Sequence, residues 1–163
     1  MDIRLASETA RFGFVFAARG IVPDAASGWF LPRLVGIQQA LEWCYTAQVF
    51  PASEALDGGL VRSLHAPEDL LGAARSLAAE IAANAAPVSI ALTRQIMWRG
   101  LVAEHPMAAH RVDSPGVLAT GAGADAREGI TAFFEKRAPR WRQQVPGDLP
   151  DWFPWWDQPT FDV

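Results

Sequence analysis

Twelve prolines punctuate this chain, and their spacing limits what it can become. Proline fixes φ and has no amide hydrogen to donate, so neither a long helix nor a central strand passes freely through one. Those from Pro23 to Pro115 divide the chain into pieces about the length of one helix or one strand. From Pro139 onward they recur at Pro146, Pro150, Pro154 and Pro159, which forbids a long helix there. The expectation is many short elements followed by an irregular tail.

Between the prolines, the pattern of apolar residues assigns most pieces. Residues 2–6 mix apolar and charged side chains and fit a short strand. Pro23-Asp24 marks a turn, and Asp24 is placed to cap a helix over 25–35 that Pro32 should kink. Gly36 ends that helix or joins it to another over 37–46. Pro51 followed by 52–56 predicts a short helix stopped by Gly58-Gly59, and 60–64 alternates like a strand. The clearest helix follows Pro67, where Leu70, Leu71, Ala74, Leu77, Ala78 and Ile81 form one stripe. A second starts near Pro87 and should carry Ile90, Ala91, Ile96, Met97 and Leu101 inward until Pro106 ends it. A third covers 107–119 with Pro115 against it. A fourth runs from Asp125 to Lys136, with Ile130, Phe133 and Phe134 as its apolar face. The tail carries Trp141, Trp152, Phe153, Trp155, Trp156 and Phe161, too many aromatics for a free disordered segment. It should lie as a strap on an apolar surface.

Composition excludes several classes of function. A chain of 163 residues that is 50% apolar can close one core. A net charge of −4 gives no footing for a phosphate backbone, so no nucleic-acid partner is expected. The weakly polar stretch 70–93 is broken by Arg75, Glu80 and Asn84, so no membrane span is expected. The single cysteine, Cys44, permits no internal disulfide and reads as a small buried hydrophobe. A lone thiol and a start at Met1-Asp2-Ile3-Arg4 without an apolar signal core fit a cytoplasmic protein. His105 and His110 are separated by Pro106, and His65 stands alone, so no metal site is expected. Ser27 has no nearby histidine to activate it. Glu54, Asp57, Glu80 and Glu128 read as solvated or capping. Gly121-Ala122-Gly123 follows no strand and reads as a loop.

Four blocks, taken in order, carry a resemblance. Asp2-Ile3-Arg4-Leu5-Ala6-Ser7-Glu8 with Ala10-Arg11-Phe12-Gly13 resembles C-D-I-R-x-A-S-E-x-A-x-F-G, with Met1 where the pattern often has Cys. Residues 20–36, from Gly20-Ile21-Val22-Pro23-Asp24 to Leu31-Pro32-Arg33-Leu34-Val35-Gly36, resemble G-x-x-P-x-x-G-x-x-x-x-L-P-R-x-V-G. Ala52-Ser53-Glu54-Ala55 with Gly59-Leu60-Val61 is similar to A-x-E-A-x-x-x-G-L-V. Glu128-Gly129-Ile130-Thr131-Ala132-Phe133-Phe134-Glu135-Lys136-Arg137 is similar to E-G-x-x-A-F-x-E-K-R. These are motifs of the crotonase (enoyl-CoA hydratase/isomerase) family. They span residues 2–137 and leave only the aromatic tail outside.

The resemblance implies an α/β fold: the C-terminal part of a crotonase ββα spiral, mostly helical with a few short strands. It implies the end of the spiral core with its active-site helix over 1–64, a helical trimerisation region over 65–138, and a Pro/Trp-rich tail over 139–163. It implies a homo-oligomer, a trimer or a dimer of trimers. The sequence enters the pattern at its middle. The half carrying most of the sheet and the two oxyanion-hole amides is expected to lie upstream, so Met1 reads as an internal start, a gene fragment, or one of two chains.

The implied chemistry passes through the enolate of an acyl-CoA thioester, with coenzyme A part of the substrate and no separate cofactor. Fixed amides stabilise the oxyanion and a carboxylate moves protons at carbon. The F-G-x-P-E pattern that carries a glutamate in hydratases falls on Phe12-Gly13-Phe14-Val15-Phe16, so Phe16 replaces the acid and isomerisation is favoured over hydration. Asp24 stands where some isomerases of the family place a proton-shuttling carboxylate. Pro23, Phe16, Trp29 and Phe30 would then surround the substrate and the acid. Pro-Asp before a helix is equally an ordinary cap, and the two roles can coexist. Lys136 and Arg137 of the E-K-R motif would reach coenzyme A phosphates, or else serve as a solvated helix end. The adenine-stacking aromatic of the family has no counterpart in Pro115-Gly116-Val117-Leu118. The alternative to an enzyme is a non-catalytic crotonase fragment that acts only through subunit association.

Overall fold

The computed structural model describes residues 2–157 and residue 160. Pro159 and Phe161, read above as part of the tail, lie outside the described residues. Among the described residues, four short strands and seven α-helices follow in order: β1 (Leu5–Ser7), β2 (Arg11–Gly13), α1 (Ser27–Val35), α2 (Ile37–Thr46), β3 (Val49–Pro51), α3 (Ala52–Asp57), β4 (Ser63–His65), α4 (Leu70–Asn84), α5 (Pro87–Gly100), α6 (Pro106–Gly121) and α7 (Ala124–Glu135). The chain divides into two compact units, residues 1–78 and 79–163, with the division falling inside α4.

In the first unit β1 pairs with β4 in parallel, Ala6 opposite Leu64, and β2 pairs antiparallel with β3, Phe12 opposite Phe50. Strand β4 begins later than alternation predicts. Leu60 and Val61 leave the strand because both are buried in the core with Leu31, Ala40, Trp43, Phe50 and Ala55. Apolar residues at 31, 40 and 43 give α1 and α2 their inward faces. Trp43 is only 2% exposed, stacks on Phe50 at 4.5 Å between ring centroids, and donates its indole N–H to Glu54 over 2.7 Å. Glu54, expected in solvent, thus satisfies the one polar atom of a buried ring. Gly58 is required beside it, since a Cβ there would stand 2.6 Å from the Trp43 ring.

The entry to α1 departs from expectation. The residue at the cap is Ala26, not Asp24, and Ala25 and Ala26 both take left-handed backbone, φ 52° and 56°. Ala26 stands where the G-x-x-P-x-x-G pattern has its second glycine. The left-handed region costs a side-chain-bearing residue about 1–2 kcal/mol. Asp24 is thereby held upstream of the first turn. Its carboxylate accepts from the Ala25 amide at 2.6 Å, and its carbonyl accepts from the Ser27 amide at 3.0 Å. Pro32 sits inside α1.

In the second unit α5 turns a different face inward from the one predicted. Val88 and Leu92 are buried, while Met97 and Leu101 are more than half exposed. Pro106 opens α6 rather than closing α5, and His105 caps it by accepting from the Met107 amide at 3.1 Å. The expected apolar face of α7 also lies open: Ile130, Phe133 and Phe134 are exposed, and Ala132 and Asp125 are buried instead.

The described part of the tail has no regular secondary structure, and polar anchors pin its start. Asp125, 3% exposed, accepts from the amides of Arg142 and Gln143. Glu128 takes Arg137 through two nitrogens, at 2.6 and 3.1 Å, and the Arg140 amide at 2.7 Å. Trp141 donates to the Ala83 carbonyl and lies over Gly129. Further along, the ring of Trp156 carries the Arg99 guanidinium 3.3 Å above its centroid.

Candidate active site

Within the first unit, the loop after β2, the turn before α1, and one face each of α1 and α2 border a half-open depression of about 340 Å³, several of whose walls, Val22, Ile37 and Tyr45 among them, are exposed. Phe16, Ile21, Val22 and Pro23 come from the loop, Gly28 and Leu31 from α1, and Ile37, Leu41, Cys44 and Tyr45 from α2. Helical spacing puts 37, 41, 44 and 45 on one side of α2, the side turned away from buried Trp43. No charged side chain lines this space, and among the linings named only Cys44 and Tyr45 carry a side-chain heteroatom. Partial burial pushes the Cys44 thiol up from its ordinary pKa, which keeps it protonated and unreactive.

The residues expected around the carboxylate separate into two groups. Phe16 and Pro23 line the cavity, whereas Trp29 and Phe30 meet each other edge-on, 4.7 Å between centroids, and are not part of its wall. Arg33 lies over Trp29 at 4.3 Å. Asp24 is exposed and is not itself part of the lining, although Pro23 and Gly28 on either side of it in the chain are. The apolar enclosure expected for Asp24 is therefore incomplete in this chain. The turn that holds it is strained at Ala25 and Ala26, and strained backbone tends to gather at functional sites.

This assembly matches the enoyl-CoA hydratase/isomerase family model over residues 1–144. The chain belongs to that family. Among curated relatives, the enoyl-CoA hydratase AFT3-1 of Alternaria alternata is 38% identical over 146 residues, covering 89% of this chain and 49% of the relative. The short-chain-enoyl-CoA hydratase of Clostridium acetobutylicum is 37% identical over 136 residues, 83% of this chain and 51% of the relative. Solved structures agree. Enoyl-CoA hydratase of Bacillus anthracis superposes with a TM-score of 0.81 at 29% identity, over 86% of this chain and 54% of that one. That of Mycobacterium tuberculosis gives 0.78 at 30% identity, over 86% and 55%. The crotonase fold is thus established, and the chain spans about half the length of the curated relatives it matches.

The family's E-K-R motif lies in the second unit. Lys136 is exposed, in left-handed backbone with φ 53° at the end of α7. Arg137 is committed elsewhere: besides Glu128, it donates its Nε to Glu135 over 2.6 Å. These bonds raise its pKa above the ordinary guanidinium value and hold Glu128 down to about 2, with the Arg137 hydrogen bonds the largest cause. Of the two cations expected to face phosphate, Lys136 is the one without a carboxylate partner among the described contacts. Glu128 was legible only as a member of its motif. Its two partners lie nine and twelve residues ahead, beyond the reach of local spacing rules. Among the described residues no group of His, Cys, Asp and Glu is arranged to hold a metal ion. No single helix among them is long and apolar enough to cross a membrane.

Proposed function

We propose that this chain provides the proton-shuttling half of an acyl-CoA isomerase site. The observation that carries the reading is a half-open depression with no charged side chain in its lining, bounded by Phe16 and Pro23, with Asp24 next to it in the chain. An enoyl-CoA thioester binds with its acyl part against these walls. The Asp24 carboxylate takes a proton from one carbon of the acyl chain as the electron pair moves into the thioester, whose oxygen becomes anionic. The enolate then collapses, the double bond forms one position along, and the same carboxyl group returns the proton to another carbon. Atoms balance without water. Phe16 at the position of the hydratase acid supports this order of events, because a phenyl ring cannot activate water. The donors for the oxyanion are supplied by polypeptide outside these residues. Coenzyme A enters as part of the substrate, with no separate cofactor, and Lys136 is the cation offered to the coenzyme A phosphates of a neighbouring subunit.

Binding and turnover of a 3-enoyl-CoA by the chain joined to the polypeptide that supplies the oxyanion donors, with and without Asp24→Asn, test the assignment. The variant should bind with unchanged affinity and lose about a hundred-fold or more in turnover, the usual range for a general acid/base. Full turnover in the variant removes Asp24 from the mechanism.

A second reading, association without catalysis, draws on the exposure of Ile130, Phe133 and Phe134 along α7. Contiguous apolar surface of this kind marks an interface, here to further copies of the chain in a trimer. Scattering after size exclusion decides it: a clean monomer at micromolar concentration contradicts association.

A further inference from the structure

Arg99, in the last turn of α5, carries a charge that no acceptor meets among the described residues. Its Nε is closed off from water and has no hydrogen-bond partner. The same holds for the indole Nε1 of Trp156, the ring that the guanidinium lies over. Both atoms are donors, and neither side chain can accept. Asp113 on the facing helix α6 is engaged by His110 at 3.1 Å. The cluster therefore holds two closed-in donors and a permanent charge, and lacks an acceptor. Buried donors without one are rare, and a cation drawn out of water asks for a counter-charge.

Beside this cluster, within the second unit, lies a half-open pocket of about 250 Å³. Arg99 borders it together with Ile96 from α5, Ala109 and Val112 from α6, and Trp155 from the tail. Arg99 is the only charged side chain in the lining among the described residues. Trp155 meets Trp156 edge-on, 4.9 Å between centroids, so the aromatic wall is joined to the ring beneath the cation. We infer that this pocket is a site for a small organic carboxylate, whose oxygens meet the Nη edge of Arg99 and whose apolar body lies against Trp155 and the helices. A planar guanidinium matches a carboxylate through two parallel N–H donors. The volume takes about eight groups of methylene size, at about 30 Å³ each by analogy with a water molecule, roughly the size of benzoate. Trp155 and Trp156 lie past residue 144, where the family match ends, and the inference is independent of the thioester reading.

Benzoate titrated into the full chain, followed by NMR at the Arg99 Nε–H and the indole N–H groups of Trp155 and Trp156, tests the site. These signals should shift together and saturate. Benzyl alcohol, the same body without the charge, should bind about ten-fold more weakly, the usual loss of a charged hydrogen bond. Inorganic phosphate, a charge without the body, should also bind more weakly than benzoate. Arg99→Lys keeps a cation for Trp156 to hold but removes the fork, and should weaken benzoate about ten-fold. Arg111→Gln removes an exposed cation of α6 outside the pocket and should leave affinity within about two-fold. No saturable shift at these three groups, benzyl alcohol or phosphate binding as well as benzoate, or full affinity in Arg99→Lys would each overturn the assignment.

Discussion

The two units of this chain reach order by different means. Residues 1–78 close around apolar rings and aliphatic side chains: Trp43 stacks on Phe50, and Leu31, Ala40, Ala55, Leu60 and Val61 fill the space about them. Residues 79–163 bury little that is large and apolar. Among the described residues Val88, Leu92, Gly116, Asp125 and Ala132 are the buried ones, and carboxylates and indoles fasten a strap without regular structure. Packing that excludes water depends little on pH or salt, whereas carboxylate anchors depend on both. The cavity is built on the packed unit, where a wall can hold its shape. The strap belongs to the unit held by hydrogen bonds to Asp125 and Glu128.

That contrast can be broken at four places. Trp43→Ala should have the largest effect, a loss of about 3–5 kcal/mol in denaturant unfolding, since it empties the centre of the first core. Trp156→Ala should cost about 2 kcal/mol through the lost cation–π contact with Arg99, with faster hydrogen exchange confined to residues 79–163. Ala26→Gly should add about 1 kcal/mol by relieving a left-handed alanine, read as a higher denaturation midpoint with unchanged slope. The smallest effect is expected in acid. Glu128 has a folded pKa of about 2 against an ordinary 4.5, so the folded state binds fewer protons there than the unfolded. Its contribution is complete above about 4.5 and lost as pH falls toward 2. Tryptophan fluorescence should therefore show the strap loosening in that window, and Glu128→Gln should remove the pH dependence.

Sequence spacing carried the helices well and their orientation poorly. Gly36, Pro51 and Gly58 placed α2 and α3 because such residues act on their own backbone. The apolar stripe after Pro67 placed α4 for the same local reason. Which face turns inward is settled by distant partners, so Ile90, Met97 and Leu101 were expected inside α5 where Val88 and Leu92 are found. The same limit hid the Trp43–Glu54 and Glu128–Arg137 pairs. Phe16 and Pro23 were singled out from their motifs as neighbours of Asp24, and both border the depression. The α2 side of the cavity, Ile37, Leu41 and Tyr45, was not, since nothing in an amphipathic helix distinguishes a ligand surface from a packed one. Asp24 was legible as a carboxylate at a turn. Its displacement from the cap follows from the two left-handed alanines after it, a conformation that alanine does not announce.

On the proposed function, the carboxylate at this turn moves protons along an acyl thioester without using water as a reactant. A 3-enoyl-CoA incubated with the chain joined to the polypeptide that supplies the oxyanion donors, in water enriched in both deuterium and oxygen-18, with products weighed by mass spectrometry, tests it most directly. The expected product is a 2-enoyl-CoA with no oxygen-18 and little deuterium at carbon, because the proton taken from one carbon is returned to another, and the product should be absent with Asp24→Asn. A 3-hydroxyacyl product labelled with oxygen-18, or a shifted double bond undiminished in that variant, would contradict it.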